Sequence, residues 1–204
     1  MNNVIFLKKT ITQSQWMYVL MTAMIIFIWF PTFVLGEVDF GNALEFDGND
    51  DNVDCGQSDV TNITGTMTIE AWIKPYTKNS NLTIVGNTMS GLNNPGYAFD
   101  INSWNTTDRK IGFESYDDFK LTEDSAVAYG QWQHVAISIS GTAAQIYVNG
   151  EAKNVTGPYP DLRSSSNNLF IGARSDKFYV YQGQIDELRI WSDVRTQQEI
   201  SGKM

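Results

Sequence analysis

The chain has 204 residues, of which 42% are hydrophobic, so it can bury one sizeable core and is not a disordered chain. Lys8 and Lys9 are the only charged residues before Glu37, which leaves 12 of the 14 basic residues against 23 acidic ones and a net charge of −11 for the remainder. A surface this acidic repels nucleic acid and anionic lipid. Nucleic-acid binding is therefore excluded, and divalent cations or neutral ligands are favoured.

Residues 1–36 differ in composition from the rest of the chain. Lys8 and Lys9 precede an uncharged apolar run from Trp16 to Gly36, a charge distribution that places the N-terminus inside and the body outside. Val34-Leu35-Gly36 has the small residues of a cleavage site, while the run is also long enough to span a bilayer. The sequence predicts a signal peptide cleaved after Gly36, or a retained signal-anchor helix, followed by a secreted or cell-surface domain over 37–204.

After Glu37 the sequence alternates between short apolar strands and turn residues. Strands are predicted over 43–46, 67–74, 82–85, 97–101, 110–114, 132–140, 144–148, 169–171 and 184–191. Asn149-Gly150 predicts a tight hairpin turn, because both residues tolerate positive φ. Thr196 and Glu199 form a capping-box pattern that predicts one helical turn. About ten strands without intervening helices exclude parallel βαβ folding and predict an antiparallel all-β sandwich or barrel.

Five motifs, in order, resemble laminin G-like, concanavalin A-like jelly-roll domains. They are ALEFDGNDDNV (43–53), TIEAWIKP (68–75), GQWQHVA (130–136), IYVNG (146–150) and GQIDELRIW (183–191). The resemblance implies a jelly-roll sandwich of two antiparallel sheets, with Trp72, Trp132 and Trp191 in structural roles. It says little about function, because this fold carries lectins, adhesins and glucanases alike.

Three acidic residues, Asp47, Asp50 and Asp51, fall within five positions around Gly48. Their mutual repulsion is unfavourable unless a cation or solvent compensates it, and Ca²⁺ accepts carboxylate and carbonyl oxygens in flexible geometry. The family resemblance implies one structural Ca²⁺, whose ligands here would be Asp47, Asp51, the backbone of Gly48 or Asn49, and Asp186. The alternative is a solvated acidic turn capped by its own N–H groups.

No catalytic residue is predicted. Glucanases of this fold place three carboxylates along one strand face, and the nearest approach here, Glu45-Phe46-Asp47, lacks the third acid and is broken by Gly48. His134, the only histidine, lies in a strand motif and is predicted to be structural. Cys55, the only cysteine, allows no intrachain disulfide and is predicted to be buried.

Aromatic residues flanked by polar ones lie in several predicted loops. Such rings stack on the apolar faces of sugars while Asn and Asp bind hydroxyls, although each ring fits equally well as a cover for the core. The ligand-binding candidates are Trp104, Asn105, Tyr116, Asp118, Tyr179 and Tyr181. Trp104 is the strongest because its neighbours are small and polar. Four sequons predict surface positions for N-linked glycans in an exported chain, at Asn62, Asn81, Asn105 and Asn154.

The predicted function is calcium-stabilised carbohydrate recognition or adhesion at the cell surface, without catalysis. Its partner would be a glycan or a surface or matrix protein, with contact to the membrane only through residues 1–36 if they are retained. The alternative is a structural or protein-interaction module of a larger surface protein. A glycoside hydrolase of the same fold is the third and least supported possibility.

Overall fold

The structure is a computed structural model that describes residues 42–77, 80–91, 93–116, 118–141, 143–158 and 161–204. The predicted leader, 1–36, lies outside the described residues. The elements are β1 (Leu44–Asp47), β2 (Val53–Asp54), β3 (Thr66–Pro75), β4 (Leu82–Gly86), β5 (Asn94–Ile101), β6 (Ile111–Tyr116), β7 (Asp118–Thr122), β8 (Gln133–Ser140), β9 (Ala143–Val148), β10 (Glu151–Ala152), β11 (Val155–Thr156), β12 (Phe170–Ile171), β13 (Gln182–Trp191) and α1 (Gln197–Ser201).

These strands form two sheets. The six-stranded sheet has the order β1-β13-β3-β8-β9-β10, and the seven-stranded sheet has the order β11-β7-β6-β5-β4-β12-β2. Every described strand pair is antiparallel. The prediction of an all-β, two-sheet antiparallel sandwich is confirmed.

The core lies between the sheets and is built from alternate residues of each strand. On β8, Val135, Ile137 and Ile139 belong to one buried cluster with Phe99 of β5 and Phe113 of β6. Alternation puts every second side chain on the same face, so the period-two pattern of the sequence becomes a continuous apolar layer. Burial of each such side chain contributes about 1.5–3 kcal/mol.

The opposite face of β8 is buried as well, beneath the C-terminal segment. The Ser138 hydroxyl donates to the Arg195 carbonyl at 2.7 Å. Ile200 of α1 is fully buried and clusters with Ala136 and Tyr147 of the six-stranded sheet. The predicted capping box at Thr196 is confirmed, with both of its hydrogen bonds present. Residues 192–201 therefore cover the outer face of this sheet.

The predicted hairpin at Asn149-Gly150 is also confirmed. Both residues have positive φ, 52° and 73°, and Glu151 pairs with Val148 across the turn. Gln197–Ser201 is the only helix in the described part of the chain, and with five residues it is too short to span a bilayer.

Candidate ligand-binding site

The most exposed large apolar side chain among the described residues is Trp104, with 73% of its surface open to solvent. It lies in the connection between β5 and β6, beside the exposed Asn105. Loops at the ends of a rigid sandwich are where binding residues usually lie. Trp104 and Asn105 therefore form the candidate ligand-binding site, in agreement with the sequence-based preference for Trp104.

Hydrogen bonds fix the backbone around Trp104. The Asp108 carboxylate accepts from the backbone N–H of Ser103 at 2.9 Å and of Lys110 at 3.3 Å. The Thr106 hydroxyl donates to the Ser103 carbonyl at 2.9 Å. Burial acts to raise the pKa of the Asp108 carboxyl, but hydrogen bonds from Ser103, Lys110 and Thr106 outweigh it and lower that pKa. The loop is thus tied to itself on both sides of the ring.

Asn102 anchors this loop to the rest of the sandwich. Its buried side chain donates to the Ser80 carbonyl at 2.9 Å and accepts from the Arg109 N–H at 3.0 Å and the Tyr129 hydroxyl at 2.8 Å. Asn102, Asn105 and Arg109 all have positive φ, between 58° and 67°. Such strained non-glycine conformations persist only where surrounding contacts hold them, and they concentrate at functional sites.

Tyr116 and Asp118 lie at the β6–β7 turn, at the other end of β6 from Trp104. The Arg163 guanidinium lies over the Tyr116 ring, 3.5 Å from its centroid, which covers that face of the ring. The structure therefore does not bring these two candidates together with Trp104.

Tyr179 and Tyr181 are placed differently again. The Tyr179 ring lies beneath the Arg174 guanidinium, 4.7 Å from its carbon. Tyr181 is fully buried and packs edge-to-face against Phe46, with ring centroids 5.9 Å apart. Tyr181 is therefore a core residue and is not accessible to a ligand in this structure.

A buried ionic network, which was not identified from the sequence, surrounds Arg174. Its guanidinium binds the carboxylates of Asp100 on β5 and Glu114 on β6, and all three side chains are at most 6% exposed. Both acids lie on the sheet face that points away from the core, because their neighbours Phe99 and Phe113 point into it. The alternation along β5 and β6 indicates from the sequence that both acids face away from the core. No sequence feature near Arg174 identifies it as their partner.

The three acids of the first turn do come together. One carboxylate oxygen from each of Asp47, Asp50 and Asp51 lies within 4.8 Å of the others. Asn49 donates from its backbone and side chain to the Asp47 carboxylate, and the Asp47 N–H donates to Asp51 at 2.9 Å. The convergence fits the oxygen donors that Ca²⁺ prefers, and the internal hydrogen bonds fit the self-capped alternative.

The structure does not bring Asp186 to this turn. Asp47 is opposite Gln182 in the β1–β13 ladder, whereas Asp186 lies four residues further along β13, opposite Trp72 of β3. At about 3.3 Å per residue this separation is about 13 Å along the strand. Asp186 would therefore not contribute a ligand to an ion held at this turn.

His134 and Cys55 occupy structural positions. His134 is 1% exposed, and its Nε2 lies 3.8 Å from Glu70 Oε2, beyond hydrogen-bond distance. Cys55 is half-buried against the main core, and burial, with a smaller effect of Asp54, raises the pKa of its thiol. A raised pKa lowers thiolate content and hence reactivity.

Two antiparallel sheets packed face to face place this domain in the class of lectin-like β-sandwiches. The sequence model of the laminin G-type family in the concanavalin A-like lectin/glucanases superfamily matches residues 47–201, and the chain belongs to this family.

Solved structures with the same fold include the CBM40 domain of the Ruminococcus gnavus IT-sialidase bound to α2,3-sialyllactose, with a TM-score of 0.65, 16% identity, and coverage of 79% of this chain and 95% of that one. Domain 4 of an extracellular arabinanase from Geobacillus stearothermophilus, in complex with arabinotriose, has a TM-score of 0.57, 19% identity, and coverage of 79% and 81%. At these identities the likeness establishes the fold alone. Mouse pappalysin-1 is 31% identical over 80 residues, which are 37% of this chain and 5% of that protein.

Proposed function

We propose that this chain is an exported, non-catalytic glycan-binding module in which a sugar ring stacks on Trp104. The observation that carries the proposal is the 73% exposed indole held on a hydrogen-bonded loop. A flat ring without a partner among the described residues suits the apolar face of a sugar, and the adjacent Asn105 amide suits its hydroxyls. Carbohydrate-binding modules among the structural neighbours support the same ligand class.

A glycan array of protein produced without N-linked glycans tests this proposal, and it should include α2,3-sialyllactose and arabinotriose, the ligands named for two neighbours. Affinity for any retained glycan is then compared between wild type, Trp104→Ala, Trp104→Phe and a control, Phe119→Ala. Phe119 is 38% exposed and pairs with Glu114, near the opposite end of β6.

Loss of a stacked ring removes about 0.5–1.5 kcal/mol of binding free energy in addition to the contribution of the buried apolar area. Trp104→Ala should therefore weaken binding by roughly 10-fold. Trp104→Phe keeps a ring and should retain most of the affinity, and Phe119→Ala should behave as wild type. Binding that survives Trp104→Ala would place the site elsewhere. No retained glycan at all would refute the proposed function.

The proposal excludes catalysis because the exposed Glu45 and Asp47 on edge strand β1 have no third acid on the same strand. The neighbours include both binding modules and an intramolecular trans-sialidase from leech, so activity has to be measured directly. We expect no release of reducing sugar from any bound glycan. Release that Glu45→Gln abolishes would make the protein a glycosidase.

We also propose that Ca²⁺ at residues 47–51 stabilises the module. Binding at 100 times the dissociation constant adds about 2.7 kcal/mol, which raises the melting temperature by roughly 5–10 °C. Excess chelator should lower the melting temperature of wild type and of the control Asp59→Asn by this amount. Asp50→Asn lacks the increment and should melt at the same temperature with and without chelator. A wild-type melt that chelator leaves unchanged would refute the site.

A structural or interaction module of a larger surface protein is the second candidate. The matched segment of mouse pappalysin-1 is 5% of that protein, so a related sequence forms a small part of a long chain. Further domains encoded downstream of this sequence would support the second candidate. An immediate stop codon would remove the version in which this chain is a fragment.

A further inference from the structure

The four sequons fall into two structural classes. Asn62 and Asn81 are engaged with or enclosed by the sandwich, whereas Asn105 and Asn154 are exposed. N-linked glycosylation joins the side-chain nitrogen to the anomeric carbon of a sugar, so that nitrogen needs an open path to solvent.

The Asn62 amide is fully used within the fold. Its nitrogen donates to the Ser164 hydroxyl at 2.9 Å and the Ser165 carbonyl at 2.8 Å, and its oxygen accepts from the Ser165 N–H at 2.8 Å. A glycan would replace one of the two amide hydrogens and would enter the space that residues 164–165 occupy. It would therefore break the contact between these two loops.

Asn81 precedes β4 and is 8% exposed, and its side-chain oxygen is buried. Because so little of the residue is open to solvent, a glycan on its amide would clash with the surrounding part of the sandwich. A chain glycosylated at Asn81 would consequently not reach this fold.

Asn105 and Asn154 have neither obstacle. Both are exposed, and neither side chain makes a hydrogen bond within the described part of the chain. Asn154 lies between the two-residue strands β10 and β11, and Asn105 lies in the β5–β6 loop directly after Trp104. A glycan at Asn105 would stand beside the most exposed ring described in the protein.

We infer that Asn105 and Asn154 are the two sequons that carry N-linked glycans on the folded, exported protein, and that the glycan at Asn105 covers Trp104. In the transfer, the Asn nitrogen loses a proton and bonds to the anomeric carbon of a lipid-linked oligosaccharide, whose diphosphate leaves. The inference rests on the proposed export. Where Asn105 is occupied, its glycan competes with an external glycan for Trp104, so the stacking in the proposed function belongs to chains in which Asn105 carries no glycan. Coverage of the ring does not depend on that stacking.

The full chain, with its own leader, is expressed in cultured animal cells. Glycan release by an amidase in ¹⁸O-water converts each occupied Asn to labelled Asp, and peptide mass spectrometry reads the four sites separately. Thr107→Ala removes the Asn105 sequon without changing the positive-φ residue, and Thr156→Ala is the matched change for Asn154. Each variant should migrate one step faster in denaturing electrophoresis, because it carries one glycan fewer.

Shielding of Trp104 is measured without any ligand, as the rate of indole oxidation by N-bromosuccinimide in the Trp104 peptide. Oxidation should be slower in wild type and Thr156→Ala than in Thr107→Ala. Equal rates would overturn the shielding. Occupancy of Asn62 or Asn81 in folded material, or none at Asn105 or Asn154, would overturn the assignment of the sites. A failure of glycan binding on the array would leave these readouts unaffected and would count against the proposed function alone.

Discussion

Lowering the pH from 7 to 5 is expected to destabilise this domain through His134, the only histidine in the chain. His134 is 1% exposed beneath the C-terminal segment, and neither ring nitrogen has a hydrogen-bond partner within the described residues. The nearby Glu70 carboxylate uses its Oε1 to accept from Arg189 at 3.3 Å and from the Trp191 indole at 3.1 Å. Its Oε2 faces His134 but lies 3.8 Å from Nε2, too far for a hydrogen bond. The fold therefore holds the imidazole neutral.

Burial, assisted by the charge of Arg189, lowers the pKa of His134 from 6.5 to about 4. Because this pKa lies below that of the unfolded chain, protons bind the unfolded state more tightly between the two values. The stabilisation is fully present above pH 6.5 and is lost as the pH falls toward 4. Linkage over this interval predicts that the free energy of unfolding falls by about 2 kcal/mol by pH 5 and by about 3 kcal/mol below pH 4.

Urea denaturation of wild type and His134→Gln at pH 7 and pH 5 measures this loss. Glutamine does not titrate, so the fall in the free energy of unfolding should be about 2 kcal/mol smaller in the variant than in wild type. The difference between the two falls removes the contribution of carboxyl groups common to both proteins. Equal falls would refute the reasoning, as would a histidine proton resonance that titrates near pH 6.5 in the folded protein.

Two further predictions concern stability. Arg174→Leu leaves the Asp100 and Glu114 carboxylates buried without their cation, so the free energy of unfolding should drop by about 3–5 kcal/mol in urea, and a wild-type value would contradict the buried network. Gly48→Ala should cost about 1–3 kcal/mol more than the control Gly56→Ala. Both glycines have positive φ. A Cβ at Gly48 would lie 2.8 Å from Gln182 Cβ, whereas a Cβ at Gly56 would have no neighbouring atom within 4 Å. Equal losses would show that backbone strain alone matters.

The strands that the sequence predicts best are those whose apolar residues alternate onto the core face. On β3, Met67, Ile69, Ala71 and Ile73 alternate with more polar residues and are all fully buried. Among the described strands of five or more residues, β7 is the one that the sequence does not predict. Its apolar Phe119 is exposed, while the neighbouring polar Lys120 is buried. The polarity of this strand is reversed relative to its burial, so the hydrophobic pattern gave no signal for it.

Local clusters were predictable for a similar reason. Asp47, Asp50 and Asp51 converge because one turn contains them, and Thr196 and Glu199 cap α1 because they are separated by one helical turn. The partners of Arg174, in contrast, lie 74 and 60 residues away, and only the pairing of β5 with β6 places them side by side. Contacts across this distance depend on strand register, which the spacing of residues does not reveal.

The aromatic candidates show the same division. Trp104 and Tyr181 look alike in sequence, since each precedes polar residues, yet one is 73% exposed and the other fully buried. What separates them is the partner available: Tyr181 packs against Phe46 at the start of the six-stranded sheet, whereas the backbone on either side of Trp104 is held by Asp108 and Asn102. An exposed ring on a loop whose polar groups are already satisfied contributes little to folding. This exposure is the reason that we propose a ligand for Trp104.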